Sequence, residues 1–110
     1  MHDYFVYIVT NKARTTLYVG VTNSLVRRIW QHRNPTSRKS FAGRYNLSVL
    51  VWFGHFRDIN AAIECESKIK GWTRAKKLAL IGKMNPKWED LSADFEQQPK
   101  IDEPVDEAEF

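Results

Sequence analysis

A glutamate occupies an unexpected position in the segment over residues 58–71. The apolar residues that recur there at helical spacing are Ile59, Ala62, Ile63 and Ile69. This spacing predicts a helix with one buried stripe. Glu66 falls within the stripe, whereas Glu64 points to the opposite side. A carboxylate facing a core is costly unless it is paired or binds a cation. Two interpretations stay open: an ion pair with Lys70, one turn along the same face, or a metal-binding or catalytic role.

A second helical segment carries two basic residues at the border of its apolar face. That face consists of Leu25, Val26 and Ile29. Arg28 and His32 lie four residues apart at its border, whereas Arg27 points away from it. An arginine at such an edge can reach into a groove while its stem stays covered. The alternatives are an arginine that only extends to solvent and an ordinary boundary histidine.

Two tyrosines belong to a predicted β-hairpin near the start of the chain. Residues 4–10 and 16–21 are rich in Val, Ile, Tyr and Thr, and a polar stretch separates them. With a four-residue loop over 11–14, antiparallel pairing places Tyr7 directly opposite Tyr18. Both side chains then point to the same face of the sheet.

The elements that position these residues form a small α/β domain of the α+β type. After the hairpin, the pattern predicts a helix from residues 22–24 to about 33, a central strand over 47–56, and helices over 58–70 and 73–83. Gly71 ends the second helix and Asn85-Pro86 ends the third. The expected architecture is a small three-stranded antiparallel sheet flanked by helices.

Charge is distributed unevenly along the 110 residues. Residues 1–92 contain 16 Lys and Arg against 6 Asp and Glu, whereas residues 93–110 contain 7 acidic residues against Lys100. A basic body indicates a polyanionic partner, the alternative being a solvated basic surface. The acidic tail is predicted to be disordered. It either solubilises the chain or folds back over the basic cleft as a mimic of DNA.

Other features restrict the class of protein. No stretch of 18 apolar residues occurs, which excludes a membrane-spanning helix, and no secretory signal is expected at the N-terminus. The single cysteine, Cys65, cannot form an internal disulfide. A reducing, cytoplasmic location follows as the default expectation.

Taken together, these residues resemble the GIY-YIG nuclease domain. The two motifs read Phe5-Val6-Tyr7 and Tyr18-Val19-Gly20, with the tyrosines eleven residues apart. Arg28 follows Tyr18 by ten residues and His32 follows it by fourteen. The segment over 62–72 is similar to the family's glutamate-bearing helix and places its metal-binding carboxylate at Glu66. The resemblance covers residues 3–91 and is greatest to small standalone bacterial members, which end soon after an Asn-Pro-x-Trp segment. Phe5 departs from the motif, which has glycine there.

The resemblance implies a metal-dependent endonuclease that hydrolyses phosphodiester bonds in DNA, in repair or in processing of structured DNA. Glu66 would hold a single Mg²⁺ or Mn²⁺ whose shell water completes, and the metal would stabilise the leaving oxygen. Arg28 would bind a phosphate oxygen. Tyr7 would be the base or would orient the attacking water, with Tyr18 and His32 assisting. The alternative is a nucleic-acid-binding module that keeps the fold and cleaves poorly or not at all.

We expect residues 1–92 to form the nuclease domain and residues 93–110 to form the tail. The nucleic-acid contacts expected in this domain are Arg27, Arg38, Lys39, Arg44, Tyr45 and Lys70. DNA is the expected partner, although the residues alone do not distinguish it from RNA.

Overall fold

The computed structural model describes residues 3–33 and 47–93. Its elements, in chain order, are β1 (Tyr4–Thr10), β2 (Leu17–Thr22), α1 (Leu25–Arg33), β3 (Val49–Phe56), α2 (Ile59–Lys70) and α3 (Arg74–Met84). The strands form one antiparallel sheet, which confirms the predicted α+β fold. Helix ends also agree: Asp58 caps α2, Thr73 caps α3, and Gly71 follows α2. Within the described ranges, no helix is long and apolar enough to cross a membrane.

The order of strands differs from the prediction, because β1 lies in the centre and β3 lies at an edge. The prediction of a central third strand was wrong. Residues 6–10 of β1 are all buried, as a strand covered on both faces and paired on both sides requires. By contrast, the second half of β3 is partly exposed. A run of apolar residues was therefore a poor guide to which strand lies in the centre.

The turn between β1 and β2 is longer than predicted and changes the register. It spans residues 11–16, and the Asn11 side chain accepts hydrogen bonds from the backbone N–H groups of Thr15 (2.9 Å) and Thr16 (3.1 Å). Tyr7 consequently lies opposite Gly20, and Tyr18 lies opposite Val9. The predicted Tyr7–Tyr18 pairing was wrong by two residues. Because side chains alternate with a period of two, both tyrosines still share a face.

Helices cover both faces of the sheet. The face under α2 and α3 buries Val6, Ile8, Val19, Val21, Val49, Val51, Ala62, Ile69 and Ile81. The face under α1 buries Tyr7, Val9, Leu25, Ile29, Leu47 and Leu50. Ile63 was predicted to be buried, but its side chain is 42% exposed. The buried stripe of α2 passes through Ala62 and Ile69 and leaves Ile63 beside it.

Asn85 joins the end of α3 to an irregularity in β3. The β1–β3 register skips Val51, which leaves its carbonyl outside the regular ladder. The buried Asn85 side chain donates to this carbonyl (3.2 Å) and to the carbonyl of Glu89 (2.8 Å). The turn after α3 is thereby attached to the sheet.

Asp90 links the end of α1 to the edge of β3. Its carboxylate accepts from Arg33 Nη2 (2.7 Å) and from the backbone N–H of Leu50 (3.2 Å), and Ser92 donates to it as well. Burial raises the pKa of Asp90, but the hydrogen bonds from Ser92 and Leu50 and the charge of Arg33 outweigh burial. The net result is a lowered pKa. This contact ties Arg33 of α1 to Leu50 of β3.

We expect Asp90→Asn to lower the free energy of unfolding at pH 7 by about 1–2 kcal/mol, since hydrogen bonds to a charged group contribute about 1.5–3 kcal/mol when buried and this site is half-exposed. Because the pKa of Asp90 is lower in the folded state, its carboxylate stabilises the folded state at pH values above the unfolded pKa of about 3.9. This stabilisation is lost as the pH falls through the folded-state pKa. The difference between wild type and variant, measured by urea unfolding, therefore shrinks below about pH 4. Glu89→Gln is the matched control and should change little. Equal effects of the two variants would contradict the role of Asp90.

Candidate active site

Tyr7 lies at the centre of the sheet face that α1 covers. Its side chain is fully buried, and its ring lies directly over Gly20 of the neighbouring strand. A Cβ atom at residue 20 would lie 2.5 Å from the Tyr7 hydroxyl oxygen. Gly20 is therefore required for the space it leaves and not for an unusual backbone conformation, since no glycine in the described ranges has positive φ.

Three rings meet beside this glycine. The Tyr7 hydroxyl lies 3.3 Å from Nε2 of His32, within hydrogen-bonding distance. The Tyr18 ring centroid lies 6.4 Å from that of Tyr7 and 6.0 Å from that of His32. His32 is buried, whereas Tyr18 is partly exposed. The side of the cluster that solvent reaches is therefore the Tyr18 side.

His32 is neutral at neutral pH. Burial and, to a smaller extent, the nearby positive charge of Arg28 together lower the pKa of its imidazole to about 4. A neutral imidazole has one protonated nitrogen and one free lone pair. Either tautomer satisfies the contact with Tyr7, and a neutral ring retains the capacity to accept a proton.

Tyr7 remains protonated at neutral pH. Burial raises the pKa of its hydroxyl well above the ordinary value, and the charge of Glu66 raises it further. The Arg28 guanidinium acts in the opposite direction without overcoming the effect of burial. The hydroxyl is thus a donor or acceptor of hydrogen bonds, and forming a phenolate would need another group to take its proton.

Two buried nitrogen atoms beside Tyr7 have unused hydrogen-bonding capacity. Within residues 3–33 and 47–93, neither Nε of Arg28 nor Nδ1 of His32 has a hydrogen-bond partner. Arg28 is half-buried in α1, and its charge acts on both Tyr7 and His32. Because buried polar atoms are nearly always satisfied, each of these atoms can accommodate a water molecule or a polar ligand.

Glu66 forms the ion pair that was one of its two predicted alternatives. Its Oε2 lies 2.6 Å from Nζ of Lys70; the Glu66 side chain is 13% exposed and that of Lys70 is 51% exposed. The Lys70 ammonium also lies 6.0 Å from the centroid of the Tyr18 ring. This places the carboxylate at the edge of the three-ring cluster, where it contributes to the pKa of Tyr7.

A divalent cation at Glu66 would have one protein ligand. No group of three or more metal-ligating side chains occurs in the described part of the chain. A single carboxylate fits a hard cation such as Mg²⁺, which dehydrates reluctantly and is commonly held by one or two carboxylates and substrate phosphate. The donor set therefore fits Mg²⁺ or Mn²⁺, provided that the cation displaces Lys70.

The described part of the chain includes some of the residues that were expected to contact nucleic acid. Arg27 is half-buried in α1 and Lys70 lies at the site, whereas Arg38, Lys39, Arg44 and Tyr45 lie outside the described residues, as does the acidic tail beyond Ala93. Sequence reasoning missed the Arg33–Asp90 pair that holds the end of α1, one residue from His32. Arg33 and Asp90 are 57 positions apart in the sequence, and no local sequence pattern indicates that they form a pair.

Comparison with known proteins identifies the class of this fold and cluster. Residues 3–79 match the GIY-YIG catalytic domain, which covers more than half of the chain, so the protein belongs to the GIY-YIG domain family. Its similarity extends to proteins called UPF0213. One from Vibrio campbellii is 38% identical over 76 residues, which are 69% of this chain and 71% of that protein. One from Clostridium perfringens is 38% identical over 91 residues, which are 83% of this chain and 96% of that protein.

A solved structure shows the same architecture. The solution NMR structure of a UPF0213 protein from Bacillus halodurans superposes with a TM-score of 0.51 at 27% sequence identity. It covers 83% of this chain and 96% of that one. The expected fold family is thereby confirmed, while the name UPF0213 states no activity.

Gly20→Ala should displace the Tyr7 ring, because the added Cβ would overlap its hydroxyl. We expect the free energy of unfolding to fall by about 1–3 kcal/mol, as for other overpacked cores, and the NMR resonances of the His32 ring to shift. Gly82→Ala is the control, since a Cβ at residue 82 meets nothing within 4 Å. Alanine is favoured over glycine inside a helix by about 0.5–1 kcal/mol, so this variant should be as stable as wild type or more so. Equal destabilisation of both would contradict the Tyr7–Gly20 contact.

His32 should contribute to pH-dependent stability between about pH 4 and 6.5. In the unfolded chain the His32 imidazole has a pKa of about 6.5. In the folded protein its pKa is about 4, so the imidazole stays neutral until the pH falls to about that value. The stabilisation is therefore complete above the unfolded pKa and is lost as the pH falls towards the folded one. NMR titration of the His32 ring should give a midpoint near the lower value, and His32→Gln should show a smaller rise in stability with pH. A midpoint at or above the ordinary value would refute the assignment.

Proposed function

We propose that this protein is a metal-dependent endonuclease that hydrolyses phosphodiester bonds in structured DNA. The observation that carries the proposal is the convergence of the Tyr7–His32 pair, the unsatisfied Arg28 Nε atom and the largely buried Glu66 carboxylate. Membership of the GIY-YIG catalytic domain family supports the same class of reaction.

Arg28 would bind the phosphate that is cleaved. A guanidinium offers donors in a planar fork that matches two phosphate oxygens, and negative charge that builds up on those oxygens would be stabilised in a site with little water. No carboxylate forms an ion pair with Arg28 in the described ranges, so its charge is available to an anion. Glu66 would hold Mg²⁺ or Mn²⁺, which when bound neutralises phosphate charge and assists departure of the leaving oxygen.

Tyr7 and His32 would together position the attacking water and remove its proton. The raised pKa of Tyr7 makes a free phenolate unavailable at neutral pH. The neutral His32 ring at 3.3 Å can accept the hydroxyl proton as Tyr7 accepts one from water. Tyr18, on the exposed side of the cluster, would orient the substrate or the water.

Lys70 and Arg27 would contact the nucleic-acid backbone, together with Arg38, Lys39, Arg44 and Tyr45. Contacts to phosphate give affinity that depends on salt and carries little sequence information. A body of about 90 residues can cover only a short stretch of duplex. We therefore expect recognition of DNA shape in preference to sequence.

A binding module without cleavage is the second candidate. The observation that favours it is the 2.6 Å contact between Lys70 and Glu66, which already neutralises the carboxylate. A module of this kind would bind nucleic acid through the same basic residues and leave the phosphodiester bond intact.

The test is incubation of the purified chain with single-stranded, duplex, flap and branched DNA in the presence of Mg²⁺ or Mn²⁺. Glu66→Gln should reduce cleavage at least about 100-fold, because loss of the metal ligand removes the charge stabilisation of the transition state. Glu64→Gln is the matched control, since Glu64 lies exposed on the other side of the same helix, and it should cleave within about twofold of wild type.

The outcomes separate the candidates. Cleavage that a chelator and Glu66→Gln both abolish supports the nuclease. Cleavage by Glu66→Gln at the wild-type rate would refute the role of Glu66. Binding of every substrate without cleavage by the wild type would replace the nuclease with the binding module.

A further inference from the structure

Some basic side chains of the described residues form ion pairs with carboxylates of those ranges, whereas others form none, among them Lys12, Lys68, Lys76, Lys83 and Lys87. Arg33, His55 and Lys70 each form an ion pair with a carboxylate. Arg14, Arg74 and Lys77 form none with any carboxylate in residues 3–33 and 47–93. Arg14, Arg74 and Lys77 therefore belong to a larger set of cations whose charge no carboxylate in the described part of the protein neutralises.

These three cations lie together where the β1–β2 turn meets the start of α3. Nη2 of Arg74 donates to the backbone carbonyl of Arg14 at 3.4 Å. Lys77 lies three residues after Arg74 and so occupies the same side of α3. We refer to Arg14, Arg74 and Lys77 as the Arg14–Arg74 ridge.

Two hydrogen bonds hold the Arg14 guanidinium in place, and the backbone of Arg14 adopts an unfavourable conformation. Its Nη1 donates to the carbonyl of Lys12 (2.7 Å) and its Nη2 donates to the carbonyl of Trp88 (2.9 Å). Arg14 and Trp88 are the two non-glycine residues with positive φ in the described ranges, at 59° and 54°. Left-handed backbone is unfavourable for such residues. Strain of this kind persists where the surrounding structure imposes it and is common at ligand-binding sites.

Two members of the ridge lie close in sequence to residues of the candidate active site. Arg14 precedes Tyr18 by four residues, and Arg74 follows Lys70 by four. Lys70 in turn lies over the Tyr18 ring. Four residues span at most about 14 Å, which corresponds to about four nucleotide steps along a duplex at 3.4 Å each.

We propose that the Arg14–Arg74 ridge binds the phosphate backbone of the substrate within about four nucleotides of the part that lies at Tyr18 and Lys70. Clustered cations repel one another, and a polyanion relieves that repulsion. Guanidinium groups suit phosphate because of their planar array of donors. The inference rests on the proposed function and adds a second contact to it, so that the nucleic acid runs from Arg28 past Tyr18 to the ridge.

The experiment measures the affinity of the full chain for a fluorescent DNA duplex over a range of salt concentrations, with a chelator present to prevent cleavage. The slope of log K against log salt reports the number of phosphates neutralised, at about 0.9 for each. Arg74→Gln should reduce the magnitude of the slope by about 0.9, and Arg74→Gln combined with Lys77→Gln by about twice that amount.

Lys83→Gln is the matched control, because Lys83 is also exposed on α3 and lies nine residues beyond Arg74, about 13 Å along the helix. It should leave the slope unchanged. Arg14→Gly supplies an independent variant, since glycine adopts positive φ readily, while the guanidinium and its hydrogen bonds to the carbonyls of Lys12 and Trp88 are lost. This variant should also reduce the slope by about 0.9.

If Arg74→Gln, Arg14→Gly and Lys83→Gln all showed the same slope as wild type, the ridge proposal would be overturned. If Glu66→Gln still abolished cleavage in that case, the proposed function would stand without the ridge. Absence of salt-dependent binding by the wild type would overturn both.

Discussion

The burial of Tyr7 in the central strand is the constraint on which the site depends. β1 is paired on both sides, so its backbone is held by two ladders and the Tyr7 ring has one place to lie, over Gly20. The hydroxyl then meets His32 from α1. The same burial that fixes this geometry keeps both groups uncharged at neutral pH, because a low-dielectric environment disfavours their ionised forms.

Charge in the site consequently comes from its edges. Arg28 supplies a cation without a carboxylate partner in the described ranges, while Glu66 is balanced by Lys70. An arrangement of neutral groups at the centre with positive charge around them suits an anionic substrate whose reacting centre is a phosphate. Under the proposed function, binding of a cation at Glu66 would release Lys70 to contact nucleic acid.

The supports of the site come from distant parts of the chain. The turn after α3 holds the end of α1 through Asp90 and Arg33 and is itself attached to β3 through Asn85. The carbonyl of Trp88, in the same turn, accepts from Arg14. One short segment thus contacts both α1, one residue from His32, and the β1–β2 turn.

The local pattern of the chain was sufficient to determine the elements and which side chains share a face. Helical spacing brought Glu66 next to Lys70, and the period of two in a strand kept Tyr7 and Tyr18 on one face although the predicted register was shifted by two residues. Tertiary structure alone decided that β1 is central, that the turn contains six residues, and that Ile63 lies outside the buried stripe of α2. It also decided the protonation of Tyr7 and His32 and the contact of Asp90 with Arg33. Periodicity is a property of neighbouring residues, whereas strand order, burial and charge depend on contacts between segments far apart in the chain.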